Sequence, residues 1–194
     1  MPYYTKLGTL PKKRHTQFRR PDGALYSEEV FGTEGFVGPT STLYHIHPPT
    51  QVYGWESLYS TKAEYVERDV MRMRHTRSDF PPKGDPVSGR VVLFGNADCE
   101  MAVCNPAEPM TYHYKNGQGD EYLFIHSGTG DCPTIFGSLR FGPKDYIIIP
   151  KGCIYQIEFD PLADADRPDG KTAADMPFGK FLVIETCNAS HIAP

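Results

Sequence analysis

The chain has 194 residues, a formal net charge of −4 and 23% charged residues. That length can bury a core without disulfide or metal staples. The charge excludes the basic footprint of a nucleic-acid binder, and no apolar run is long enough to cross a bilayer.

Gly and Pro number 18 each and are scattered between short apolar runs. That spacing predicts many short strands and turns rather than long helices. Five cysteines, Cys99, Cys104, Cys132, Cys153 and Cys187, form no C-x-x-C pair, so a disulfide framework or zinc ribbon is not expected. Free, mostly buried thiols suit a reducing compartment. With no apolar segment near Met1, a cytoplasmic location is expected.

In chain order, residues 1 to about 57 read as a loop-rich arm, interrupted by Pro11, Pro21, Pro39, Pro48 and Pro49. Phe31, Phe36, Tyr44 and Trp55 are apolar anchors that would pin such an arm to a surface. Its basic cluster, Lys12, Lys13, Arg14, Arg19 and Arg20, reads as a solvated arm or a subunit contact. Thr61 to Met73 fits either one helix or, over Tyr65 to Met73, an edge strand, and the β-rich surroundings favour strands. Pro81-Pro82-Lys83-Gly84-Asp85-Pro86 is a break. The expected division is therefore 1–85, an arm with accessory strands, and 86–194, a barrel.

Beyond the break, strands are expected at Arg90–Phe94, Glu100–Cys104, Met110–Tyr114, Tyr122–His126, Thr134–Phe141, Tyr146–Pro150, Ile154–Phe159 and Lys180–Thr186. Asn116-Gly117, Gly128–Gly130 and Lys151-Gly152 are among the turns between them. Short strands at regular spacing predict an all-β sandwich or closed barrel. The acidic, Pro-bearing stretch from Asp160 to Gly179 reads as an exposed excursion.

Two segments resemble the paired motifs of the cupin superfamily. One is His113-Tyr-Lys-Asn-Gly-Gln-Gly-Asp-Glu121 with Gly128; the other is Asp145-Tyr-Ile-Ile-Ile-Pro150-Lys-Gly152-Cys-Ile-Tyr155. The resemblance implies a double-stranded β-helix, or jelly-roll, barrel whose motif residues face its mouth. Iron-dependent oxygenases hold Fe(II) with two His and one carboxylate, leaving a face open. Here His113 and Glu121 match two ligand positions, while Lys115 and Tyr155 stand at the other two, and an ammonium cannot ligate. His113 and Glu121 are thus the candidate metal residues of an incomplete set. Asp120 would point away from Glu121 on a strand, as would His126. His45 and His47 would share one face of a strand, but Pro48-Pro49 follow and no third ligand lies near, so they read as structural or interface histidines.

Further segments resemble homogentisate 1,2-dioxygenase specifically. They include Tyr4-Thr-Lys-Leu-Gly8, Leu10-Pro-Lys-Lys-Arg-His-Thr-Gln-Phe-Arg19, Pro21-Asp-Gly-Ala-Leu-Tyr26, Gly32-Thr-Glu-Gly-Phe36, Ser41-Thr-Leu-Tyr-His45 and Asp120-Glu-Tyr-Leu-Phe-Ile-His126. The resemblance implies ring cleavage of homogentisate by dioxygen to maleylacetoacetate, in tyrosine and phenylalanine catabolism. It implies two cupins, Fe(II) as cofactor, and homo-oligomers built as trimers that pair into hexamers. Family members place the iron ligands in the second cupin, so this chain corresponds to the first, and no catalytic residue is carried onto it. Alone it is expected to hold no iron and to be inactive. A stand-alone small-molecule-binding cupin, with His113, Glu121 and Tyr155 lining its mouth, is the alternative, as is an oligomerisation module of a split enzyme.

Overall fold

The computed structural model describes residues 17–32, 35, 37–38, 40–57, 80–163, 172 and 178–186. The chain divides into two compact units, Met1–Ser60 and Thr61–Pro194. The helix-or-strand segment Thr61 to Met73, most of the acidic excursion and Cys187 lie outside the described residues, as do the residues 58–79 that precede the expected 85/86 boundary. Among the described residues every regular element is a strand, and no helix there is long and apolar enough to cross a membrane.

The first unit is less loop-like than expected. β1 (Ser27–Gly32) and β2 (Thr40–His45) form an antiparallel hairpin with Ser27 opposite His45 and Gly32 opposite Thr40. Glu29 and His45 are diagonal neighbours on one face, and their side chains meet at 2.8 Å, a cross-strand pair of the kind that fixes register. His45 is thereby engaged structurally, while His47 is exposed outside the strand.

The second unit contains two facing sheets. The first has the order β3 (Arg90–Gly95), β4 (Cys99–Cys104), β12 (Lys180–Thr186), β6 (Glu121–Ser127) and β9 (Tyr146–Ile149). The second runs β11 (Glu158–Phe159), β7 (Gly130–Thr134), β10 (Ile154–Tyr155), β5 (Tyr114–Lys115), with β8 (Gly137–Phe141) also on β7. From β5 to β12 the chain shuttles repeatedly between the two sheets, and every pairing is antiparallel. That is the connectivity of a jelly-roll, or double-stranded β-helix.

Three expected strands need correction. Thr134–Phe141 is a hairpin arm rather than one strand. The Thr134 hydroxyl accepts the Phe136 amide at 3.0 Å and donates to the Gly137 carbonyl at 2.8 Å, closing a turn over Ile135-Phe136. Ile154–Phe159 breaks at Gln156-Ile157, where the Gln156 side chain donates to the Met110 carbonyl. The same bond holds Met110 out of a ladder, so the expected Met110–Tyr114 strand is reduced to Tyr114–Lys115.

Alternation sets the inner face. Leu123 and Ile125 of β6, Ile147 and Ile149 of β9, and Phe181 and Val183 of β12 are buried. They meet Cys132, Phe141 and Ile157 in the core of the unit. The outer face of the first sheet is apolar too. One cross-strand row runs Tyr146, Phe124, Leu182, Val103, Val91, and a second runs Ile148, Tyr122, Ile184, Met101. The Phe124 and Tyr146 rings lie 4.9 Å apart within the first row.

Burial pushes the Cys104 and Cys132 thiols up to about 12, and Cys153 to about 11. Because the thiolate is the nucleophile, these three act as apolar filler rather than reactive groups.

The loop before β6 is fixed at close range. The Asn116 Oδ1 accepts the amides of Gln118 and Gly119, and the Thr186 hydroxyl accepts the Asp120 amide at 2.8 Å. A Cβ on Gly119 would lie 1.6 Å from the Thr186 carbonyl oxygen. Gly119→Ala is therefore expected to push β12 from the loop and cost about 1–3 kcal/mol, read as a lowered denaturant midpoint. An unchanged midpoint would show that the loop is free to move.

Candidate functional site

Glu121 opens β6 with no solvent exposure and points into the core. A buried carboxylate needs a charge partner and hydrogen bonds to both oxygens. Arg90, which opens β3, supplies the charge: its Nη1 donates to Glu121 Oε1. The Tyr155 hydroxyl, from β10 on the opposite sheet, donates to Glu121 Oε2. Arg90 Nη2 in turn donates to the Tyr155 hydroxyl oxygen at 3.0 Å, and Arg90 Nε donates to the Pro86 carbonyl at 3.0 Å. The three side chains close a ring of hydrogen bonds.

Aromatic contacts complete the enclosure. Tyr114 of β5 meets Tyr155 edge-on, with centroids 5.6 Å apart, and the guanidinium carbon lies 5.8 Å from the Tyr114 ring centre. That is cation–π distance. Glu185 of β12 approaches Arg90 Nη1 at 3.9 Å. Burial and the Arg90 charge act oppositely on the Tyr155 hydroxyl; burial wins, aided by Glu121, and holds it well above the usual tyrosine value. Arg90 is held well above its own usual value by Glu121 and Tyr155, against the effect of burial. At neutral pH the phenol is a donor, the guanidinium a fixed cation, and neither is a free acid or base for catalysis.

The two candidate metal residues are not equivalent. Glu121 is at the centre of this cluster; His113 is exposed and lies just outside β5. Its neighbour Tyr114 takes the inward place. Lys115 is exposed, Asp120 accepts the Lys151 amide at 2.8 Å, and His126 is exposed. Among the described residues no group of three His, Cys, Asp or Glu side chains is arranged to hold a metal ion. The residues here do not fit iron: both Glu121 oxygens are occupied, an arginine cation stands beside them, and the histidine points to solvent. His113, Glu121 and Tyr155 likewise do not line a common mouth. A separate cleft of about 130 Å³ lies among Pro86, Pro106, Met110, Ile157, Phe159 and Phe178, well below the roughly 300–1,000 Å³ of most ligand sites.

Sequence reasoning missed Arg90 and Tyr114. The available signal was Glu121 itself: it shares the inward parity of Leu123 and Ile125, so its burial demanded a cation from another strand.

This arrangement of strands, with motif residues Glu121 and Tyr155 on facing sheets, decides the fold type. The fold is cupin-like. No family model matches the chain. It is 34% identical over 175 residues to a Saccharolobus solfataricus protein described as a "Putative dioxygenase", a match covering 88% of this chain and 45% of that protein. The chain thus spans under half the length of this curated relative. Among solved structures it is similar to a cupin protein from Bacteroides fragilis, with 19% identity and a TM-score of 0.42 over 66% of this chain and 92% of that one. A cupin-2 domain-containing protein from Shewanella frigidimarina is similar at 14% identity and a TM-score of 0.37, over 50% of this chain and 78% of that one. The fold assignment rests on the strand pairing rather than on these two likenesses.

Removing one member of a buried ion pair strands the other. Arg90→Met and Glu121→Leu are each expected to cost about 3–5 kcal/mol in denaturant unfolding, and the double variant less than their sum. Additive losses would show that the two charges do not stabilise each other. Tyr155→Phe is expected to cost about 1–3 kcal/mol through the hydrogen bonds it leaves unmade.

The alkaline limb of stability has a definite sign. Tyr155, Cys104 and Cys132 titrate higher in the folded chain than their ordinary values of 10.0 and 9.0. The unfolded chain then releases protons first, so stability is full below about pH 9 and falls as pH rises above it. Unfolding free energies measured from about pH 8 to 11 should decline, and Cys104→Ala/Cys132→Ala should flatten the early part. A flat wild-type profile would contradict the burial of these groups.

Proposed function

We propose that this chain is the metal-free, structural cupin of a homogentisate 1,2-dioxygenase-like protein, and that it performs no ring cleavage by itself. The observation that carries the reading is the Arg90 guanidinium bound to both Glu121 and Tyr155. Those two positions are the ones that metal-binding cupins give to a carboxylate and a histidine. A built-in cation occupies the place where an exchangeable one would be coordinated.

Two further observations support the dioxygenase part. The relative described as a "Putative dioxygenase" matches along 88% of the chain, and the segments from Tyr4 to His45 and from Asp120 to His126 resemble homogentisate 1,2-dioxygenase. In the whole protein Fe(II), bound elsewhere, would supply dioxygen activation for opening homogentisate to maleylacetoacetate. The residues described here would then provide a rigid barrel and surfaces for a homo-oligomer in the cytoplasm. Arg90, Glu121 and Tyr155 hold its two sheets in register and touch no substrate in this reading.

The test loads the purified 194-residue chain with ferrous iron under ascorbate, desalts it, and measures metal content and maleylacetoacetate absorbance with homogentisate. Iron far below one per chain and no product are expected, whereas the product of the complete reading frame should consume dioxygen and form maleylacetoacetate. Stoichiometric, tightly held iron in the 194-residue chain would sink the metal-free assignment. Failure of the whole protein to cleave homogentisate would sink the substrate.

A further inference from the structure

The cleft of about 130 Å³ lies beside β11, the edge strand of the second sheet. Its floor is the buried side chains of Pro86, Pro106, Met110 and Ile157, and Phe159 and Phe178 form its aromatic wall. The lining is held from behind. The Met110 carbonyl accepts the Gln156 side chain, and its sulfur accepts the Ile157 amide at 3.4 Å. The Phe159 ring is set against Phe141 at 5.2 Å and Phe181 at 5.8 Å. A cleft of such fixed side chains needs little reordering to receive a group.

Charge says which group. Glu108 and Glu158 line the cleft at exposed positions, and among the described residues no lysine, arginine or histidine lines it. Both carboxylates stand on fixed backbone: the Glu108 amide donates to the Gly84 carbonyl at 2.9 Å, and Glu158 pairs in register with Asp131. Arg90, which reaches the Pro86 carbonyl, is committed to Glu121 and Tyr155. Lys180, close to Phe178 in sequence, has its ammonium 6.0 Å from the Phe80 ring centre.

We propose that this cleft binds an alkylammonium group, its hydrocarbon part against Met110 and Ile157 and its charge at the rim with Glu108 and Glu158. The two phenylalanine rings favour a cation by the same sign of charge, and the glutamates repel an anion. Size limits the occupant. An apolar cavity of about 150 Å³ holds a benzene, so this cleft suits a group of about five heavy atoms, the size of butylammonium. None of the lining residues belongs to the Arg90–Glu121–Tyr155 ring, so binding here does not depend on the dioxygenase reading.

An NMR titration of the full chain, read at backbone amides, compares n-butylammonium, butanol and butyrate at one ionic strength. Butylammonium is expected to shift the Met110, Ile157 and Glu158 amides saturably, butanol more weakly and butyrate not at all. Glu108→Gln/Glu158→Gln changes two exposed positions, so folding is retained. It is expected to weaken butylammonium about fivefold and to leave butanol unchanged. No saturable shift, an equal response to butyrate, or an unchanged affinity in the glutamine variant overturns the site. Nα-acetyl-lysine N-methylamide carries the same group on a peptide backbone. Binding equal to or tighter than that of butylammonium assigns the cleft to a lysine of a protein partner, weaker binding to a free amine, and either result upholds the site.

Discussion

The barrel depends on one buried charge being satisfied. Glu121 has no solvent, so it exists as a stable feature only because a guanidinium and a phenol meet its two oxygens. The desolvation cost of a carboxylate is several kcal/mol even after relaxation, and a single hydrogen bond returns far less. Hence the neighbours are all committed. Arg90 is anchored by the Pro86 carbonyl and faced by Tyr114, and Tyr155 is braced edge-on by that same ring. Because Arg90 and Glu121 come from one sheet and Tyr114 and Tyr155 from the other, satisfying the charge also fixes how the sheets face each other.

The same constraint explains why this interior is poor ground for metal chemistry. A metal site leaves its carboxylate with a free lone pair and at least one open coordination position. Here the carboxylate is saturated by a cation that cannot dissociate, and the fourth motif position supplies a phenol kept protonated by burial. The strands aim Glu121 and Tyr155 into the barrel, where each is bonded to Arg90. Within this cluster both carboxylate oxygens of Glu121 and the Tyr155 hydroxyl are engaged.

Much of the barrel was legible because its strands are short, apolar and separated by turn residues. Lys180–Thr186 coincides with β12, and Arg90, Glu100 and Tyr122 fall within a residue of their observed strand starts. The failures have a common cause, side-chain bonds that sequence patterns do not encode. Thr134 closes a turn over Ile135-Phe136, which has none of the usual turn residues. Gln156 takes the Met110 carbonyl and erases a strand that apolar content alone would support. At the site, Glu121 and Tyr155 were singled out by motif spacing. Arg90 was not, because a charged first residue of a strand ordinarily faces water. Only the long-range pairing of β3 with β4, and through β12 with β6, brings it to Glu121 across 31 residues.

That pairing order also bears on three continuous apolar runs in the sequence. A sheet with one wet face reads as apolar-polar alternation, while one covered on both faces reads as a continuous apolar run. β6, β9 and β12 carry such continuous runs: Tyr-Leu-Phe-Ile over 122–125, Tyr-Ile-Ile-Ile over 146–149, and Phe-Leu-Val-Ile over 181–184. Their inward members are fully accounted for by the core. Their outward members line up in register across neighbouring strands rather than scattering, as isolated surface hydrophobes do. Aligned rows cannot arise from core packing, which acts only on the opposite parity. Of these outward members only Tyr146 and Ile148, on the edge strand β9, are largely exposed, and the others are half-buried.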